Sequence, residues 1–132
     1  MHKSILLIDD DPDDVELFCE AVAEIGEIDC NYTYTPNDAF EFLDKASQKP
    51  DYIFLDVNLP RLSGLQLLIK LKNNTQYREI PVVIYSTLKD PQQIEEFYKL
   101  GASFYLIKPT GFEALKKSIN EVMCGVHDKT FH

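Results

Sequence analysis

Apolar residues gather in four short runs, SILLI, DYIFLD, IPVVIYS and SFYLIK, that reach to residues 8, 56, 86 and 108. These runs are nearly continuous, the pattern of strands covered on both faces. A further stretch, DCNYTYT, alternates polar with apolar residues and predicts a strand at a sheet edge. Between the strands lie longer segments of helical period. Val15, Phe18, Val22 and Ile25 share one helical face, and Phe112, Leu115, Ile119 and Val122 share another, read as plain core packing. Strands and helices thus alternate through five units. Such alternation with right-handed crossovers predicts an α/β, doubly wound parallel sheet with helices on both faces.

Helix starts are marked by capping residues. Asp11-Pro12 supplies an N-cap and a proline at the first helical position, and Thr35-Pro36 and Asp90-Pro91 repeat it. SGLQ, from Ser63, and TGFE, from Thr110, fit the capping box of Ser or Thr with Gln or Glu three residues later.

Length and composition narrow the class. With 132 residues, 45% hydrophobic, the chain reads as one domain over 1–132 with material for an ordinary core. No apolar run approaches the ~20 residues of a membrane span, and the N-terminal run leads straight into acids. A cytoplasmic protein is the expectation. Against 13 basic residues stand 22 acidic ones, a net charge of −9. That disfavours direct nucleic-acid binding and an anionic membrane surface, and favours a cation or a protein partner. Cys19, Cys30 and Cys124 are widely spaced and form no C-x-x-C pair, so neither a disulfide framework nor a zinc site is expected. His2, His127 and His132 match no ligand spacing.

The chemistry collects where the strands end. LLIDDDPDD places Asp9, Asp10 and Asp11 after the first strand, Asp56 ends the third, Ser86 and Thr87 end the fourth, and Lys108 ends the fifth. Ligands of doubly wound sheets bind beyond these carboxyl ends. Two carboxylates about 4 Å apart repel by roughly 1 kcal/mol in water and more in a drier site, so a cation is expected to offset them. Asp10 and Asp56, read as neighbours, offer the hard oxygen ligands that suit Mg²⁺. Asp56 is also placed as a nucleophile toward phosphorus, with Lys108 and Mg²⁺ to balance charge and Ser86 to donate a hydrogen bond. Asp11 reads as an N-cap, and Asp13 and Asp14 as a solvated first helical turn.

The set LIDDDP, IFLDVNLPRLSG, PVVIYSTLKD and GASFYLIKPT resembles, in order and over nearly the whole chain, the receiver domain of two-component response regulators. The resemblance implies a CheY-like, flavodoxin-like sheet of strand order 2-1-3-4-5. It implies phosphorylation of Asp56 by the phosphohistidine of a histidine kinase or a histidine phosphotransfer protein. Asp9 and Asp10 become the acidic pair of the Mg²⁺ site, with Asn58 giving its backbone carbonyl. Ser86 becomes the switch hydroxyl, Lys108 the phosphate contact, Tyr105 the aromatic that moves inward on activation, and Lys108–Pro109 a cis peptide. LDVNLPRLSG further resembles stand-alone receivers, some of which serve phytochrome-type kinases. Leu88, two residues beyond the switch hydroxyl, departs from the polar residue that can position a hydrolytic water.

The expected activity is Mg²⁺-dependent self-phosphorylation from a donor and slow self-dephosphorylation, not enzymatic turnover. No output domain is expected, since only a tail, 126–132, follows the last helix. The signal would leave through the surface of helix four, strand five and helix five, to an unknown downstream protein or by homodimerisation. Phe97, Tyr98 and Phe104 are candidates for that face. Rival readings are weaker. Asp9, Asp11, Asp13 and Glu20 mimic an EF-hand loop, but Asp14 stands where its sharp turn needs glycine. An aspartyl-phosphate phosphatase commonly wants a second aspartate where Asn58 stands, and a nucleotide binder would be repelled by aspartates after the first strand. A receiver-like interaction module that acts without phosphorylation is the alternative.

Overall fold

The computed structural model describes residues 3–57 and 64–125. Its elements run β1 (Lys3–Ile8), α1 (Pro12–Ile25), β2 (Ile28–Thr33), α2 (Pro36–Lys45), β3 (Tyr52–Asp56), α3 (Gly64–Asn73), β4 (Val82–Ser86), α4 (Pro91–Lys99), β5 (Phe104–Ile107) and α5 (Phe112–Met123). All neighbouring strands pair in parallel, in the order β2-β1-β3-β4-β5. The expected fold is therefore observed, with the polar strand β2 at an edge.

Side-chain alternation along each strand divides the core in two. Leu6, Ile8, Ile53, Leu55, Val82 and Ile84 face α2, α3 and α4, where Leu43, Leu67, Leu68 and Phe97 meet them. Ile5, Leu7, Phe54, Val83, Phe104 and Leu106 face α1 and α5, against Phe18, Val22, Leu115 and Ile119. Each fully buried side chain of this kind contributes roughly 1.5–3 kcal/mol. Covering both faces is what leaves β1, β3 and β4 with continuous apolar runs.

Three of the expected caps form. Asp11, Thr35 and Asp90 accept from the backbone N–H of Asp13, Asp38 and Gln92. The capping box expected at Thr110 does not. Gly111 is the N-cap of α5, at φ 99°, with no side-chain cap. The turn from β5 needs a positive φ one residue after Thr110, and glycine supplies it without strain. The box expected at Ser63 lies outside the described residues. Where α3 begins, a Cβ on Gly64 would overlap Val57, so glycine is required next to the end of β3.

Candidate functional site

Sheet register delivers the chemistry to one edge. Ile8 pairs with Leu55, so the next residues out are Asp9 and Asp56. Asp56 pairs with Tyr85, and Ser86 with Ile107, which sets Lys108 one step beyond. Asp9, Asp56 and Ser86 are the buried polar residues among the core, at 0%, 2% and 0% exposure.

Lys108 ties the acids together. Its Nζ donates to Asp14 Oδ2 at 2.8 Å and to Asp56 Oδ2 at 3.1 Å, and lies 3.8 Å from Asp9 Oδ2. The ammonium also sits 4.9 Å from the centre of the Tyr85 ring, which Phe18 meets edge-on. Burial alone would lower the Lys108 pKa, but the bond to Asp14 and the charges of Asp56 and Asp9 outweigh it and raise it. The lysine is held as a cation.

Asp9 is the strained member. Its Oδ1 accepts from the Asp11 N–H at 2.9 Å, while Oδ2 is buried with no hydrogen-bond partner among the described residues. Burial pushes its pKa up to about 7, helped by the Asp56 charge and opposed by the Asp11 N–H and Lys108. Leaving a buried oxygen unmatched costs roughly 1–3 kcal/mol. Asp9, Asp14 and Asp56 each offer an oxygen, all within 4.8 Å of one another. Three hard donors, one of them buried without a hydrogen bond, fit a divalent cation such as Mg²⁺.

The structure redraws part of the expected site. Asp9, not Asp10, stands beside Asp56; Asp10 is exposed and outside the carboxylate group. Asp9 continues the strand line toward β3, and the next residue turns away from it. Asp14, expected to be solvated, belongs to the cluster. The signal for it was available: Asp14 lies one helical turn before the fully buried Phe18, on the face of α1 that meets the sheet. Asp13 is exposed as expected. Asn58 lies outside the described residues.

A second chain of contacts leads away from the cluster. The Leu88 N–H donates to Ser86 Oγ at 3.0 Å, and Tyr105 Oη donates to the Leu88 carbonyl at 2.9 Å. The Tyr105 N–H in turn donates to Tyr98 Oη at 2.9 Å, and its ring packs 5.9 Å from Phe97. Tyr105 was expected to move inward on activation; here it is already inside, 1% exposed. Phe97 and Phe104 are core, at 6% and 0% exposure. The Lys108–Pro109 bond, expected cis, is trans, since no cis peptide occurs among the described residues. Trans is favoured intrinsically by about 0.5–1 kcal/mol. Lys108 reaches the Ser86 carbonyl, Asp14 and Asp56 with the bond in that form.

Comparison with known proteins identifies the family and agrees with the fold. The response regulator receiver domain model matches residues 5–120. An uncharacterized response regulatory protein of Vibrio cholerae is 36% identical over 121 residues, covering 91% of this chain and 48% of that protein. Chemotaxis protein CheY1 of Helicobacter pylori is 26% identical, covering 94% of this chain and 98% of CheY1. The phosphorylated cyanobacterial phytochrome response regulator RcpA superposes with a TM-score of 0.82 at 27% identity, over 97% of this chain and 98% of that one. Several longer relatives, two of them named as phosphodiesterases, are spanned by the chain only over 12% to 48% of their length. No described helix is long and apolar enough to cross a membrane. With three strand ends and the first turn of α1 meeting in a lysine-bridged carboxylate cluster and the family model spanning residues 5–120, the chain belongs to the response regulator receiver domain family of two-component signalling.

Proposed function

We propose that Asp56 accepts a phosphoryl group from the phosphohistidine of a histidine kinase or histidine phosphotransfer protein, in a Mg²⁺-dependent step that switches the α4–β5–α5 surface. The observation that carries the reading is the Lys108 ammonium 3.1 Å from Asp56 Oδ2, beside a buried Asp9 oxygen with no hydrogen-bond partner among the described residues.

In this reading Asp56, nearly enclosed at the end of β3, presents one carboxylate oxygen toward an incoming phosphorus. Lys108 follows the charge that moves onto the phosphoryl oxygens, and Asp14 holds the Lys108 ammonium over the site. Asp9, Asp14 and Asp56 would hold the metal, with Asp10 and the Asn58 carbonyl carried over from the family. Bound there, Mg²⁺ supplies positive charge for the carboxylates and the transferring oxygens. Ser86 Oγ accepts from the Leu88 N–H and bonds with the Tyr105 side chain, and in this reading its hydroxyl turns to donate to a phosphoryl oxygen instead. A shift of Ser86 toward that oxygen would pull on Leu88 and so on the Tyr105 hydroxyl. The consequence reaches β5 and α4 through Tyr98 and Phe97. Two packings that differ by a few kcal/mol suffice for such a switch.

The likeness to a phytochrome response regulator supports a phytochrome-type kinase as the donor. A downstream protein or a second copy of the chain would read the altered surface. The chemistry is transfer of the phosphoryl group from the donor onto Asp56, followed by slow hydrolysis that releases inorganic phosphate. Incubation with acetyl phosphate, followed by intact mass, tests the reading. One phosphoryl group gained with Mg²⁺, and none with EDTA or in Asp56→Asn, is the expected result. Labelling that persists in EDTA overturns the metal's part, and no labelling with Mg²⁺ leaves the phosphorylation-independent module as the better reading.

A further inference from the structure

Away from the acidic cluster, two cysteines that sequence spacing left unrelated come together. Cys19 lies on α1 and Cys30 on the edge strand β2, and their sulfurs are 3.2 Å apart, both as free thiols. The helix–strand turn at Gly26, φ 85°, folds α1 back along β2 and brings the two side chains to one side of the sheet. We propose that Cys19 and Cys30 form a thiol–disulfide redox site, oxidised by small-molecule disulfides of the glutathione type.

The sulfurs would need to close by about 1.2 Å to reach the S–S bond length of roughly 2.05 Å. Access favours one order of events. Both cysteines are half-buried against the same core, but Cys19 lines an open cleft of about 440 Å³ beside Ala23, Tyr32 and Tyr34, and Cys30 is not part of its lining. Burial, with the bond to Cys19, raises the Cys30 thiol pKa, so Cys30 is the poorer first nucleophile. The Cys19 thiolate attacks one sulfur of glutathione disulfide, forming a mixed disulfide and releasing one glutathione thiolate. Cys30 then attacks the Cys19 sulfur, gives up its proton to solvent, and displaces the second glutathione. In sum, the protein dithiol loses two protons and two electrons, and one glutathione disulfide becomes two glutathione thiols. The new bond would staple α1, which carries Asp14, to β2, whose Thr33 carbonyl accepts from the Asp9 N–H.

Treatment of the full chain with excess glutathione disulfide, then alkylation under denaturing conditions and intact mass, tests the site. In Cys124→Ser, which removes the exposed third thiol, alkylated thiols should fall from two to none, with the mass lighter by two hydrogens before alkylation. Cys30→Ser should stop with one glutathione on Cys19. In Cys124→Ser the oxidation should proceed at a rate independent of protein concentration. Two alkylated thiols in Cys124→Ser after treatment, a wild-type product that keeps glutathione on Cys19, or a disulfide found only between chains through Cys124 would each overturn the proposal.

Discussion

The carboxylate cluster and the hydroxyl chain share an edge of the sheet but are built in opposite ways. In the first, three acids crowd one ammonium, and a buried Asp9 oxygen finds no hydrogen-bond partner among the described residues. In the second, neutral donors and acceptors are matched in sequence: Leu88 N–H to Ser86, Tyr105 to the Leu88 carbonyl, and Tyr105 N–H to Tyr98. The charged group stores an electrostatic cost that a cation can relieve. The neutral group costs little to rearrange, since each of its bonds contributes only about 0.5–1.5 kcal/mol net. In the proposed reading, chemistry belongs to the mismatched region and signalling to the matched one.

Changes at the cluster should therefore act strongly and depend on pH and metal, while changes along the hydroxyl chain should be mild. The largest effect is expected for Asp56→Asn, which should abolish labelling by acetyl phosphate altogether, as read by intact mass. Next comes pH. Asp9 is raised from 3.8 to about 7, so between those values the folded chain keeps a proton that the unfolded chain releases. In EDTA, stability from this group is full below about pH 4 and is lost as pH rises through 7, by on the order of a few kcal/mol. Urea unfolding across that range should show the slope, and Asp9→Asn should lack it. An equal slope in the variant would place the titration elsewhere.

A smaller effect is expected for Lys108→Met. The substitution removes a competing cation from among the carboxylates, so Mg²⁺ should bind about tenfold more tightly, roughly 1.4 kcal/mol, while labelling slows. Titration calorimetry and the labelling rate together check this; weaker metal binding would mean that Lys108 organises the cluster instead of competing in it. The smallest effect is that of Tyr105→Phe, which loses one hydrogen bond to Leu88. It should lower the Tm by about 3 °C at a cost of roughly 1 kcal/mol, with labelling unchanged.

Much of this was legible in the residues because strand ends are local signals. Continuous apolar runs fixed where Asp9, Asp56, Ser86 and Lys108 leave the sheet, and parallel pairing brought them together. What was missed depended on which way a side chain faces. Asp10 and Asp9 differ by one residue, and strand alternation sends them to different places. Asp14 looked solvated in a run of acids, though its helical phase with Phe18 points it to the cluster. The Cys19–Cys30 contact required knowing that α1 folds back on β2 at one particular register. Thr110 failed as a cap because Gly111 took the turn.

The most direct test of the central claim is to locate the phosphoryl group. Borohydride reduces an acyl phosphate to the alcohol, so an aspartyl-phosphate is recorded as homoserine in a peptide map. After acetyl phosphate and Mg²⁺, homoserine should appear at position 56 and at none of Asp9, Asp10 or Asp14. Homoserine at one of those three, or a phosphorylated chain with position 56 unreduced, would contradict the assignment of Asp56 as the acceptor.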